Sequence, residues 1–155
     1  MLTSERFQAE QEALLAIDAH RVAEKLWVGS FPKDPRTCEQ FDVIVLCAVE
    51  HQTLPYACSN VMHVPLDDAK PTSHEVSLAL RAATAVNKLR AQGKRVLVTC
   101  AQGVNRSALV AALAMVKSGT NPWKAVNDIR EHRKPPIGLR PLSNAHFTEL
   151  LMRMR

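Results

Sequence analysis

Aromatic side chains are scarce, at 5% of 155 residues, and no stretch interleaves them with basic residues as a stacking platform for single-stranded nucleic acid would. No apolar run is long enough for a bilayer span. The charged stretch SERFQAEQE (4–12) lacks the apolar core of a secretory signal. Repeats and low-complexity tracts are absent too. The four cysteines show no zinc-like pairing, and His51, His63, His74, His132 and His146 have no ligand spacing with Cys or carboxylates. Neither a metal nor a cofactor is therefore expected. The same cysteine usage fits a reducing, cytoplasmic setting better than a disulfide framework.

What is present fits one compact domain over 1–155, with 1–20 as a helical extension. A hydrophobic content of 46% supplies an adequate core. The net charge of +5 suits an anionic partner, and nucleic-acid affinity would give the same balance. Arg130, Arg133, Lys134 and Arg140 cluster ahead of the last helix, where a solvated basic face is the simplest reading.

Periodicity orders the elements. Residues 4–18 place Phe7, Leu14, Leu15 and Ile17 on a moderately amphipathic helix. Short strands are expected at 21–23 and 26–28, and at 61–66. The run 43–47 (VIVLC) reads as a strand buried on both faces, and 96–99 as the central strand. Thr72 and Glu75 are spaced as a capping box, opening a helix with Val76, Ala79, Ala83 and Val86 on one face; Gly93 stops it. The segment 107–119 is apolar nearly all round and should be buried. Asn121-Pro122 opens a helix that turns Trp123, Val126 and Ile129 to the core. Residues 143–154 close the chain with Phe147, Leu150, Leu151 and Met154 on one stripe. Strands alternating with helices predict an α/β fold, a mainly parallel central sheet flanked by helices, with the ligand site beyond the strand carboxyl ends.

At one such end lies VLVTCAQGVNRS (96–107). Cys100, then Gly103, Arg106 and Ser107, lets one loop surround a phosphate. Gly103 frees the backbone so that the N–H groups of Ala101, Gln102, Gly103, Val104, Asn105 and Arg106 can bond phosphate oxygens. Arg106 clamps two oxygens with its planar fork. The helix opening at Arg106 adds a positive end, and the field that attracts a phosphate dianion also favours a thiolate at Cys100. A buried structural Cys100 would leave Gly103, Arg106 and Ser107 without explanation.

The stretch resembles the Cys-x5-Arg-Ser/Thr signature of the cysteine-dependent protein phosphatases, in the dual-specificity branch. EKLWVGS (24–30) is similar to the family's opening strand, FDVIVLCAVEH (41–51) to its second, HVPLDD (63–68) to the acid-bearing segment, and SNAHFTELL (143–151) to its closing helix. The resemblance implies a cysteine-phosphatase fold and hydrolysis of phosphotyrosine or phosphoserine/threonine in proteins through a phospho-cysteine. Cys100 is then the nucleophile, Arg106 the transition-state clamp and Ser107 the hydroxyl assisting departure of the sulfur. Asp68, selected over Asp67 by the family's Pro-hydrophobic-x-Asp pattern, is the acid. No membrane is implied, nucleic acid is not favoured, and a monomer is expected.

Three departures stand out. Thr99 replaces the usual His before the nucleophile, Ser143 replaces the usual Pro before Asn144, and the stretch between Ile129 and Phe147 is longer than usual. An RNA 5′-phosphatase of the same superfamily fits the Gly-x-Asn-Arg loop, and a phosphate-binding pseudophosphatase is the non-enzymatic alternative. The absence of Lys between Cys100 and Arg106 weighs against inositol phosphates. Cys47, at the end of a strand expected beside that of Cys100, reads either as a buried core residue or as a partner that traps an oxidised Cys100 as a disulfide.

Overall fold

The computed structural model describes residues 17–136 and 138–154. Nearly all of the helix expected over 4–18 lies outside the described residues, as does most of the 1–20 extension. In chain order the elements are β1 (Ala19–Ala23), β2 (Leu26–Gly29), α1 (Arg36–Gln40), β3 (Val43–Ala48), β4 (Val61–Leu66) and α2 (Ser73–Ala91). Then come β5 (Val96–Thr99), α3 (Arg106–Lys117), α4 (Pro122–His132) and α5 (Ala145–Met152).

The sheet runs β1-β2-β5-β3-β4, and β1 is its one antiparallel strand. β5 is central: Val96 lies opposite Leu26 and Val43, and Thr99 opposite Gly29 and Leu46. Alternation divides each central strand between two cores. Leu26, Val28, Val45, Cys47, Val96 and Val98 face the helical side, while Trp27, Ile44, Leu46 and Leu97 face the α1 side with Phe41. Both faces are therefore apolar, as parallel strands require.

On the helical side α3 is buried from Arg106 to Val116. It packs against α2, α4, α5 and strands β2, β3 and β5, which is why no polar stripe interrupts it. Each buried leucine here, such as Leu109 or Leu113, contributes about 1.5–3 kcal/mol of burial free energy. The Thr72–Glu75 capping box opens α2, and Gly93, just past its end, takes a left-handed φ of +79°.

Three expectations change. Trp123 is 59% exposed: Val126 and Ile129 of the expected face are buried, but Ala125 and not Trp123 completes the stripe of α4. Arg133 is fully buried and so no part of a solvated basic face. Cys38 and Cys58 form a disulfide with Cα atoms 5.9 Å apart, tying α1 to the loop between β3 and β4, whereas Cys47 and Cys100 are free and buried. Among the described residues, no helix is long and apolar enough to cross a membrane.

Candidate active site

β5 delivers Cys100 to the mouth of a loop, 101–105, that runs directly into α3. Every carbonyl of that loop is taken by a donor outside it. Ala101 O accepts from Phe31 N (3.2 Å), Val104 O from Leu142 N (2.8 Å) and Asn105 O from Leu109 N (2.8 Å). Arg133 serves the two between: its Nη2 donates to Gln102 O (2.7 Å) and its Nε to Gly103 O (3.0 Å). In a planar trans peptide the C=O and the following N–H point in opposite directions. The amides of 102–106 therefore face away from these donors. Among the described residues nothing accepts a hydrogen bond from the 102–105 amides. The result is a ring of fixed donors beside Cys100.

Gly103 makes this turn possible. Its φ is +67°, and a Cβ there would lie 2.5 Å from the carbonyl carbon of Gly29 and 2.6 Å from Arg133 Nη2. Only a residue without a side chain admits both the backbone angle and the close approach. Leu142 also holds a left-handed φ of +59° while buried, so strain is carried where the loop is braced.

The Cys100 sulfur, in a residue 4% exposed, lies 3.1 Å from Ser107 Oγ. The guanidinium of Arg106 is held through both terminal nitrogens by the Glu50 carboxylate, with Nη2 2.9 Å from Oε2, and Nη1 also donates to Leu66 O at 3.1 Å. Arg106's hydrogen bond brings the Glu50 carboxyl down to about 2. Burial works against the Arg106 charge, but Glu50, Cys100 and Asp68 outweigh it, so the guanidinium is held more firmly protonated.

The two aspartates after β4 separate clearly. Asp67 gives its backbone N–H to Glu75 (2.8 Å), while Asp68 points its carboxylate at the loop, where Asn105 Nδ2 donates to Oδ2 (3.1 Å). Asn144 Nδ2 donates to the other oxygen (2.8 Å). The structure thus brings Cys100, Arg106, Ser107 and Asp68 to one place with the loop residues. Among the described residues, no group of three or more His, Cys, Asp or Glu side chains could hold a metal ion.

A family model for the dual specificity phosphatase catalytic domain matches residues 26–155. The chain belongs to this family. A dual specificity protein phosphatase of vaccinia virus is 31% identical over 103 residues, covering 63% of this chain and 59% of its own. The chain thus spans about three fifths of the length of the curated relatives it matches. Among solved structures, human DUSP28 superposes with a TM-score of 0.72 at 21% identity, covering 88% of this chain and 92% of that one. OH1 of the Orf virus, described as a tyrosine phosphatase, gives 0.66 at 20% identity over 95% and 97%. These two likenesses carry the fold.

Against the family pattern, Thr99 is a strand-to-strand tie: its hydroxyl donates to Val45 O (3.0 Å) from a fully buried position. Arg133, with no place in the signature, is the main brace of the 101–105 loop. Its far side pairs with Asp18, Nη1 to Oδ1 at 2.6 Å and Nη2 to Oδ2 at 3.1 Å. Burial pushes the Asp18 carboxyl up, but hydrogen bonds from Arg133 and Ser30 and the Arg133 charge bring it below its usual value. Burial and that same charge lower His20, whose Nδ1 lies 3.0 Å from Arg133 Nη1. One sequence signal does point to Arg133, which follows Ala125, Val126 and Ile129 at helical spacing on the buried stripe. Glu50 carried no comparable signal. Beside Ala101 and Gln102 opens a cavity of about 360 Å³, with Phe31, Lys33 and Asp34 among its walls.

Proposed function

We propose that this chain hydrolyses phosphate monoesters, with phosphotyrosine and phosphoserine/threonine of proteins as substrates, through a phospho-cysteine intermediate. The observation that carries this reading is the loop's polarity: all its carbonyls are engaged from outside, leaving its amides to face one anion beside Cys100. Such preorganised donors stabilise the charge on equatorial phosphate oxygens without reorganising during reaction.

In the first step the Cys100 thiolate attacks phosphorus, the ester P–O bond breaks, and Asp68 gives its proton to the departing oxygen. Arg106, aligned by Glu50, takes the transferring group's charge. In the second step the Asp68 carboxylate removes a proton from water, whose oxygen attacks phosphorus. The P–S bond breaks, inorganic phosphate leaves, and Ser107 Oγ, 3.1 Å from the sulfur, stabilises the returning thiolate. The cycle needs Cys100 reduced, which is the support that remains for a cytoplasmic setting now that Cys38 and Cys58 are disulfide-bonded.

Turnover of phosphopeptides, 5′-phosphorylated RNA and phosphoinositides by the wild type tests this, with Cys100→Ser as control. The expected result is turnover of phosphopeptides, abolished in Cys100→Ser while vanadate binding persists. Salt-sensitive turnover confined to RNA would replace the protein substrate with a nucleic acid. Oxyanion binding without turnover of any ester would make this a binding module.

A further inference from the structure

Asn144 makes three side-chain hydrogen bonds where helix capping asks for one. It is the N-cap of α5, and its Oδ1 accepts from His146 N at 3.0 Å. Capping needs only that oxygen, which Ser, Thr or Asp supplies as well. The amide nitrogen is what Asn adds, and Nδ2 donates to Asp68 Oδ1 (2.8 Å) and to Ala69 O (3.2 Å). The second oxygen of Asp68 takes Asn105 Nδ2 at 3.1 Å. Asn105 is itself locked, its Oδ1 accepting from Asn144 N at 2.8 Å. Both carboxylate oxygens are thus held by amides from different elements, one on the phosphatase loop and one at the start of α5.

We propose that Asn144 is a positioning residue for the acid. It fixes the Asp68 carboxyl group over the loop before substrate arrives, with Asn105 as the opposing strut. Each oxygen accepts a single amide N–H from this pair, so a lone pair on each stays available for the transferred proton. Proton transfer depends on heavy atoms within hydrogen-bond reach, and a carboxyl group held from both sides keeps that reach without closure of a lid. The inference rests on reading Asp68 as the acid.

Two substitutions keep the cap and alter only the bonds of the amide nitrogen to Asp68 and Ala69. Asn144→Ser retains an N-cap oxygen and removes the amide donor. Asn144→Asp retains the cap and sets a like charge against Asp68. For Asn144→Ser, kcat on phenyl phosphate should fall roughly tenfold, a fraction of the 10²–10⁴-fold a positioned proton donor supplies. It should fall much less on 4-nitrophenyl phosphate, whose leaving group needs little protonation, with vanadate affinity and Tm near wild type. For Asn144→Asp, the basic limb of the kcat profile should move to higher pH, the direction a neighbouring negative charge imposes on a carboxylic acid.

Asp68→Asn is measured alongside. If it shows the leaving-group dependence while both Asn144 variants keep the wild-type substrate ratio and pH profile, Asn144 is only a helix cap and the inference is overturned. If Asp68→Asn itself shows no leaving-group dependence, the acid reading is wrong and the inference fails with it.

Discussion

Arg133 and Asp18 form a two-pronged pair, and the same guanidinium carries the carbonyls of Gln102 and Gly103. The arginine is fully buried, so its charge is matched by Asp18 and the loop rather than by water. Arg133→Met would leave two loop carbonyls without their donor while Asp18, 39% exposed, turns to water, and should lower unfolding free energy by about 1–3 kcal/mol. Arg133→Lys should recover part of that in urea titration. It should not recover vanadate affinity, since an ammonium cannot serve two adjacent carbonyls and a carboxylate in one plane.

Gly103 and Gly93 offer a matched pair of substitutions. Both have left-handed backbones, at φ +67° and +79°, but a Cβ at Gly93 meets nothing within 4 Å. Gly93→Ala should lose about 1–2 kcal/mol, the general cost of that conformation, and keep full turnover. Gly103→Ala adds collision with the Gly29 backbone and should abolish turnover. Equal activity in the two variants would show that the loop does not need this close approach.

The Glu50–Arg106 pair sets a pH window. The folded-state value of Glu50 falls from 4.5 to about 2. Its contribution to stability is therefore complete above pH 4.5 and is lost as pH drops from there through 2. Glu50 is half exposed (49%), so solvent screens the pair and the effect is small. The difference in urea midpoint between wild type and Glu50→Gln should be constant from pH 5 to 7 and shrink below 4.5. A difference that grows on acidification would reverse this assignment.

Cys47 is fully buried, and burial, followed by the Cys100 charge, pushes its thiol well up. It should stay a thiol while Cys100 reacts. Peroxide should convert Cys100 to a sulfenic acid that condenses with the Cys47 thiol, releasing water. Peptide mapping should find a Cys47–Cys100 link alongside the existing Cys38–Cys58 bond. Sulfinic acid at Cys100 with Cys47 still free would count against the trap.

The loop and the strand feeding it were readable because their residues are contiguous. Spacing alone brings Cys100, Gly103, Arg106 and Ser107 together, and the α2 capping box is equally local. Partners distant in sequence were not readable. Arg133 meets Asp18 across 115 positions, Arg106 meets Glu50 across 56, and Asn144 meets Asp68 across 76. A run of basic residues looks solvated until the fold buries one of them against loop carbonyls and a distant carboxylate. Trp123 shows a related limit: periodicity gives the spacing of an apolar face, while the packing of neighbouring helices decides its rotation. Cys38 and Cys58 flank β3 from outside the sheet, and their spacing of 20 carries no pairing signal of its own.

The strand order has a consequence for how the molecule is made. β2 and β3 both come early in the chain, yet they do not pair; β5 lies between them. A chain growing from its N-terminus therefore holds two half-sheets with facing unpaired edges until Val96–Thr99 emerges. The strand that closes the gap is the one that leads into Cys100. Completion of the sheet and formation of the 101–105 loop depend on the same segment, so a nascent fragment ending before residue 96 should hold neither a stable core nor the loop.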